Sequence, residues 1–168
     1  FQKWRIHYFE LILFLFVSLS SFVQKYGHCD VNQVAAKLPE LVTIQKELDD
    51  KTAELESRLT RMYELYQQKI ESFQSSVSTM SADDQKSSAE EIQNLEARIN
   101  EAQQNSQLEL QQLEMELKKP LFDKVKKAIE DVSSENGYTL IFDTSSGAVL
   151  YAGGDDVIDL VQQKLGVQ

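Results

Sequence analysis

Apolar side chains recur at helical spacing along two long stretches of the chain. In the first, residues 40–77, they lie three, four or seven positions apart, and charged and amide side chains fill the positions between them. Neither Gly nor Pro interrupts this stretch, so the spacing predicts one long helix with a coiled-coil-like apolar stripe. The stripe consists of Leu41, Ile44, Leu48, Leu55, Leu59, Met62, Tyr66, Ile70, Phe73 and Val77.

A second stripe follows a polar, serine-rich break, where Ser81 or an aspartate after it suits the cap of a new helix. Two helices of similar length around a short break predict an antiparallel hairpin over residues 39–119, with its tip near residues 78–86. Each arm of about 40 residues would be roughly 60 Å long. The second stripe consists of Ile92, Leu95, Ile99, Ala102, Leu110, Leu113 and Leu117.

Shorter elements flank this hairpin. Residues 24–38 predict a strand and a short helix that Asp30 or Asn32 caps. In residues 120–168, Pro120 predicts an interruption of the returning helix, followed by a re-entry helix. A β-hairpin comes next, with strands at 138–142 and 148–152, and a last helix follows, capped by Asp155 or Asp156.

This order of elements predicts an α+β fold, a long helical hairpin on a small β body. The strands lie at the two ends of residues 24–168, so they meet only if the long helices run out and back. Three short strands make a poor sheet alone, and their free edges favour self-association. The apolar residues expected in the oligomeric body are Tyr26, Tyr138, Leu140, Phe142, Val149 and Tyr151.

Residues 1–23 have the layout of a secretory signal peptide. Lys3 and Arg5 give a positive start, an apolar run follows at residues 11–17, and small polar residues come next. The expectation is a secreted protein with a mature chain that begins near Gln24. Two alternatives stay open: an uncleaved membrane anchor and a buried helix of the fold.

Charge and chemistry exclude several functions. Of the net charge of −10, residues 40–119 contribute −8, from nine basic and 17 acidic side chains, which argues against nucleic acid as a partner. His7, His28 and Cys29 are the only histidines and the only cysteine. No catalytic or metal-ligating set is recognisable among these residues, so we expect no enzyme and no cofactor.

Three stretches together resemble the Skp/OmpH family of periplasmic chaperones. The first joins residues 24–30 to the Leu-Pro-Glu step at residues 38–40, and the second is the proline-marked segment 120–130. The third and most specific stretch contains NGYTLIFD at 136–143, GAVLY at 147–151 and DDVID at 155–159. The arms match the family only in period and length.

The resemblance implies a jellyfish-like homotrimer, in which strands of three chains form the body and three hairpins surround a cavity as tentacles. It implies export across the inner membrane to the periplasm. There the protein would be an ATP-independent holdase that binds unfolded outer-membrane proteins in this cavity and prevents their aggregation. The best-known members are basic, so the acidic arms are a departure. Basic spots such as Arg58, Arg61 and Lys69 would have to contribute.

Met and Tyr side chains in the arms are candidates for client contact, because they adapt to varied partners. Tyr63 and Met80 lie off the main stripe or at its tip and are the stronger candidates. A structural or adaptor oligomer of the cell envelope is the alternative function. The remaining candidates, which a coiled-coil seam explains equally well, are Met62, Tyr66, Phe73 and Val77.

Overall fold

The computed structural model describes residues 24–167, and the predicted signal segment, residues 1–23, lies outside them. Long helices and a small sheet confirm the α+β class. Within the described range, no helix combines the length and the apolarity needed to cross a membrane. The elements are β1 (Lys25–Cys29), α1 (Val31–Ala35), α2 (Glu40–Ser76), α3 (Ala82–Asn136), β2 (Tyr138–Asp143), β3 (Asp155–Asp156) and α4 (Ile158–Leu165).

Helices α2 and α3 form the antiparallel hairpin. Ion pairs between them join Glu40 to Lys124 at the base and Lys69 to Glu91 near the tip, so positions further along α2 meet positions earlier in α3. The tip is a short turn that ends at Ser81, whose hydroxyl accepts a hydrogen bond from a first-turn N–H of α3 at 3.2 Å.

The predicted interruption at Pro120 is wrong, because α3 continues through this residue without a break. A proline removes the helical hydrogen bond to the carbonyl four residues earlier, here that of Glu116, and its ring crowds that carbonyl. Pro120 is exposed, so water can satisfy that carbonyl. Leu121 and Val125, just beyond the proline, are buried in the core, and their packing keeps the helix continuous.

Strand β1 is the centre of a three-stranded sheet in the order β2–β1–β3, and both neighbours pair with it in parallel. The register places Tyr26 opposite Leu140 and His28 opposite Phe142. Because side chains alternate along a strand, these four residues share one face of the sheet. Cys29 belongs to the other face, which is buried against the helices.

The predicted β-hairpin is not formed. Within the described part of the chain, residues 148–152 belong to no strand, and β3 is the third strand instead. Gly154 accounts for this path, because an added Cβ would lie 2.7 Å from the carbonyl oxygen of Tyr26. Glycine therefore lets the chain cross close to β1 and pair on its far edge, instead of turning back along β2.

The core lies where the sheet, the short helices and the base of the arms meet. Asp30 caps α1 as predicted and accepts a hydrogen bond from the Gln33 N–H at 2.9 Å. Helix α3 ends at Gly137, whose φ of +71° gives the left-handed cap. The buried core consists of Cys29, Val34, Ala35, Leu38, Ile44, Leu121, Val125, Ala128, Val132, Tyr138, Val157 and Val161.

Candidate functional site

The seam between the arms is thinly packed beyond the core. The fully buried side chains there, among the described residues, are Leu55, Leu95, Ile99 and Ser106. The remaining residues of the two apolar stripes, apart from Ile44 in the core, are only half-buried. Few buried contacts per turn mean that local opening of the arms is expected to cost less free energy than opening of the core.

The residues predicted to contact clients fall into two groups. Tyr63 is 45% exposed beside the seam, and its neighbour Leu65, which sequence reasoning missed, is 44% exposed. Met80 is half-buried at the tip, where its sulfur lies 3.4 Å from the hydroxyl of Ser76. The second group is half-buried in the seam and consists of Met62, Tyr66, Phe73 and Val77.

Polar side chains meet in the middle of the seam. Arg58 donates a hydrogen bond to the hydroxyl of Ser106 at 3.3 Å. Closer to the body than this contact, the ammonium of Lys51 lies 2.7 Å from a carboxylate oxygen of Glu109. A hydrogen bond from Lys51 lowers the pKa of Glu109, and the same contact raises the pKa of Lys51. Polar contacts therefore join the two helices in the middle of the seam.

Helix α3 also exposes large apolar residues outside the seam, and the sequence analysis did not predict them. Leu108 and Met115 are 55% and 58% exposed. They are seven residues apart, and Phe122 follows at the same interval, so a second heptad repeat was available as a signal. On α2, Val42 is 75% exposed.

The body presents an apolar outer face on the sheet. Leu140 and Phe142 are about half exposed there, at 52% and 48%. Leu150 and Tyr151 stand over the same face at 98% and 87% exposure. Together with Tyr26 and Val149, these side chains surround a hollow of about 580 Å³. Exposed apolar patches of this kind mark interaction sites.

Tyr138 differs from the other predicted body residues because it points into the core. It is 9% exposed, and its hydroxyl donates to a carboxylate oxygen of Asp155 at 2.9 Å. The ammonium of Lys25 lies 4.0 Å from the centre of its ring, and hydrogen bonding to Tyr138 raises the pKa of this lysine. Tyr138 therefore joins β2 to β3 within one chain.

The cysteine and the aspartates near the sheet, which could in principle be reactive or bind a metal, have structural roles. Burial, followed by the nearby carboxylates of Asp156 and Asp143, raises the pKa of Cys29 to about 12, which suppresses the reactive thiolate. Asp156 accepts a hydrogen bond from the Ile158 N–H at 2.9 Å. The N-cap position of α4 is Val157, so the predicted cap by Asp155 or Asp156 is not formed. Over residues 24–167, no group of three or more His, Cys, Asp or Glu side chains could hold a metal ion.

Comparison with known proteins agrees with this architecture. Two proteins called chaperone protein Skp are similar to this chain in sequence. The one from Yersinia enterocolitica is 23% identical over 154 residues, covering 92% of this chain and 94% of its own length. The one from Photorhabdus luminescens is 22% identical over 139 residues, covering 83% and 84%.

The fold is also found in a solved structure. The crystal structure of an OmpH-like outer membrane chaperone from Caulobacter crescentus superposes with a TM-score of 0.70 at 13% identity, and covers 85% of this chain and 84% of its own. The family described as outer membrane protein (OmpH-like) matches residues 25–165. This match extends from the first strand to the last helix, so the chain belongs to the OmpH-like family.

Proposed function

We propose that this protein is an ATP-independent holdase chaperone of the periplasm, which binds unfolded outer-membrane proteins between its arms and prevents their aggregation. The observation that carries the proposal is the thin seam of the arms, flanked by exposed apolar side chains such as Tyr63, Leu65 and Met115. The chaperone names of the Skp relatives support it.

Such arms suit the capture of many different sequences. Each exposed side chain makes only a weak contact, but several contacts inside one cavity raise the local concentration of a bound segment and hence its affinity. Adaptable Met and Tyr side chains accept varied partners. Because every single contact is weak, the client leaves without an input of chemical energy.

A homotrimer would gather three hairpins around such a cavity. The apolar outer face of the sheet supports self-association, because Leu140, Phe142, Leu150 and Tyr151 remain exposed in a single chain. Residues 148–152 have strand-like composition but no strand partner within the described part of the chain. In an assembly, the neighbouring copies would cover this segment.

The arms would capture clients mainly through apolar contact and confinement. Residues 40–119 sum to −8, so the arms as a whole do not attract acidic clients by their field. Basic side chains nevertheless occur within them at single positions such as Arg61.

Light scattering tests the proposal. The chain from Gln24 onward is mixed with an outer-membrane β-barrel protein diluted from urea, with and without ATP. We expect aggregation to be suppressed equally in both mixtures. An assembled, well-folded protein that suppresses nothing would overturn the chaperone role and favour the structural or adaptor role in the envelope.

A further inference from the structure

The apolar outer face of the sheet contains a single histidine. His28 is half-buried on β1, opposite Phe142 on β2, and it lines the hollow of about 580 Å³. The chain that leads over this hollow, residues 144–154, carries no charged residue. The other ionisable residues of the hollow are Tyr26 and Tyr151, and tyrosine ionises only near about pH 10. His28 is therefore the side chain of the hollow that can gain a charge between about pH 8 and about pH 5.

Two carboxylates lie near His28 without pairing with it. Asp156 is its register partner on β3, and Asp30 follows two residues later in the chain. Asp156 accepts a hydrogen bond from the Ile158 N–H and Asp30 accepts one from the Gln33 N–H, both at 2.9 Å. Within the described range, neither carboxylate forms an ion pair with His28. Water is therefore the main partner of a protonated His28 in a single chain.

The remaining charged groups of the sheet belong to its other face. Lys25 and Asp155 contact Tyr138 there, through its ring and through its hydroxyl. Asp143 is the register partner of the buried Cys29 and alternates to the same side. These groups lie away from the hollow, so the protonation state of His28 determines the charge of the hollow.

A second copy of this chain is the occupant that suits the outer face. The chain has a net charge of −10, so two copies repel each other over most of their surface. The hollow has no fixed charge, and like copies can meet there without that repulsion. The outer edge of β2 is unpaired in the described sheet, and residues 148–152 have strand composition without a strand partner there. Each copy therefore offers both a strand edge and a strand-like segment to another copy.

Assembly through this face would place one His28 per copy in equivalent contacts. In a closed symmetric assembly, every copy contributes the same surface. Burying an unpaired imidazolium in an apolar contact is unfavourable, and imidazolium groups from several copies also repel one another. A neutral imidazole has neither of these costs.

We propose that His28 makes self-association depend on pH: copies of the chain assemble through the outer sheet face while His28 is neutral and separate when it is protonated. This inference rests on the self-association in the proposed function and deepens it, because it names a residue that regulates assembly. Since assembly favours the neutral imidazole, lowering the pH opposes assembly. The cavity between the arms requires several copies, so acid would also release a bound client.

Sedimentation over a dilution series tests the proposal. The chain from Gln24 onward contains every described element, and His28 is its only histidine. We expect the concentration at half assembly to rise at least about tenfold when the pH falls from about 7.5 to about 5.5. An unchanged concentration at half assembly would overturn the proposal.

Two neutral replacements separate His28 from other titrating groups. His28→Phe keeps an aromatic ring and His28→Gln keeps a polar side chain, and neither variant gains a charge at this position. Both should assemble equally well at the two pH values, with circular dichroism as the check that each is folded. If one variant does not fold, the other still decides the outcome. A pH dependence that persists in the folded variants would contradict the proposal.

The two hypotheses fail differently. If the unmodified chain assembles equally at both pH values, the role of His28 is wrong and self-association stands. If the unmodified chain assembles at neither pH, the proposed self-association fails and the inference fails with it.

Discussion

Arg58 reaches across the arm seam and donates a hydrogen bond to the hydroxyl of Ser106, 3.3 Å away. Ser106 is 5% exposed and donates in turn to the Ala102 carbonyl at 2.7 Å. Nε of Arg58 is buried without a hydrogen-bond partner among the described residues. A polar contact inside an apolar seam specifies the register of two helices and lowers their stability. The arms are thus aligned by a contact that also keeps them easy to open.

Replacing this contact by leucines, as Arg58→Leu with Ser106→Leu, should stabilise the arms. It removes a buried, partly unsatisfied polar group whose desolvation costs about 1–3 kcal/mol. Amide hydrogen exchange in the arms should slow. Leu55→Ala is the control with the opposite expected effect. Leu55 is 2% exposed, and removing such a buried side chain costs about 2–5 kcal/mol, so exchange in the arms should accelerate. Faster exchange in the double leucine variant would show that the polar contact holds the arms together.

Gly154→Ala should destabilise the body. The added Cβ would lie 2.7 Å from the carbonyl oxygen of Tyr26, a rigid backbone atom, so β3 must move away from β1. We expect a loss of about 1–3 kcal/mol in unfolding free energy, measured by chemical denaturation. Gly153→Ala is the matched control, because its Cβ meets only the exposed ring of Tyr151, which can turn aside. Equal losses would mean that the close approach at Gly154 is unimportant.

Stability should decrease in acid. Hydrogen bonds from Lys51 and Lys124 hold the pKa of Glu109 and of Glu40 below the ordinary value of 4.5. A carboxylate with a lowered pKa in the folded state stabilises the protein above its unfolded pKa, and this stabilisation is lost as the pH falls through the folded pKa. Thermal unfolding should therefore shift to lower temperature below about pH 4.5. Glu109→Gln should reduce this shift, and an unchanged pH profile would exclude the contact as a cause.

Leu150→Asp should weaken self-association without unfolding the single chain. Leu150 is 98% exposed, so its side chain supports nothing within the described part of the chain, and a charge in an apolar interface is costly. Sedimentation velocity should show smaller species for this variant at concentrations where the unmodified chain is assembled. Val42→Asp, at another exposed apolar position, should not change the assembly. Identical behaviour of the two variants would place the interface elsewhere.

Sequence periodicity predicted the long helices well, because the spacing of positions such as Leu55, Leu95 and Ile99 is a local property of the chain. Caps at Asp30, Ser81 and Gly137 were also predictable, since a cap depends on one side chain and its neighbours.

Features that depend on distant contacts were not predictable in the same way. Pro120 has a local preference to break a helix, but burial of Leu121 and Val125 overrides it. Residues 148–152 have the composition of a strand, yet pairing is decided by the approach of Gly154 to β1. The exposed repeat at Leu108 and Met115 was missed because its heptad period lies on the same helix as the seam stripe.

Native mass spectrometry of the chain from Gln24 onward, mixed with an unfolded outer-membrane β-barrel protein without ATP, tests the central claim most directly. The account predicts a complex of three copies of this chain with one client. It also predicts the same composition for a second, unrelated barrel client. A client-free assembly beside aggregated client, or a complex with only one particular partner, would contradict the holdase account.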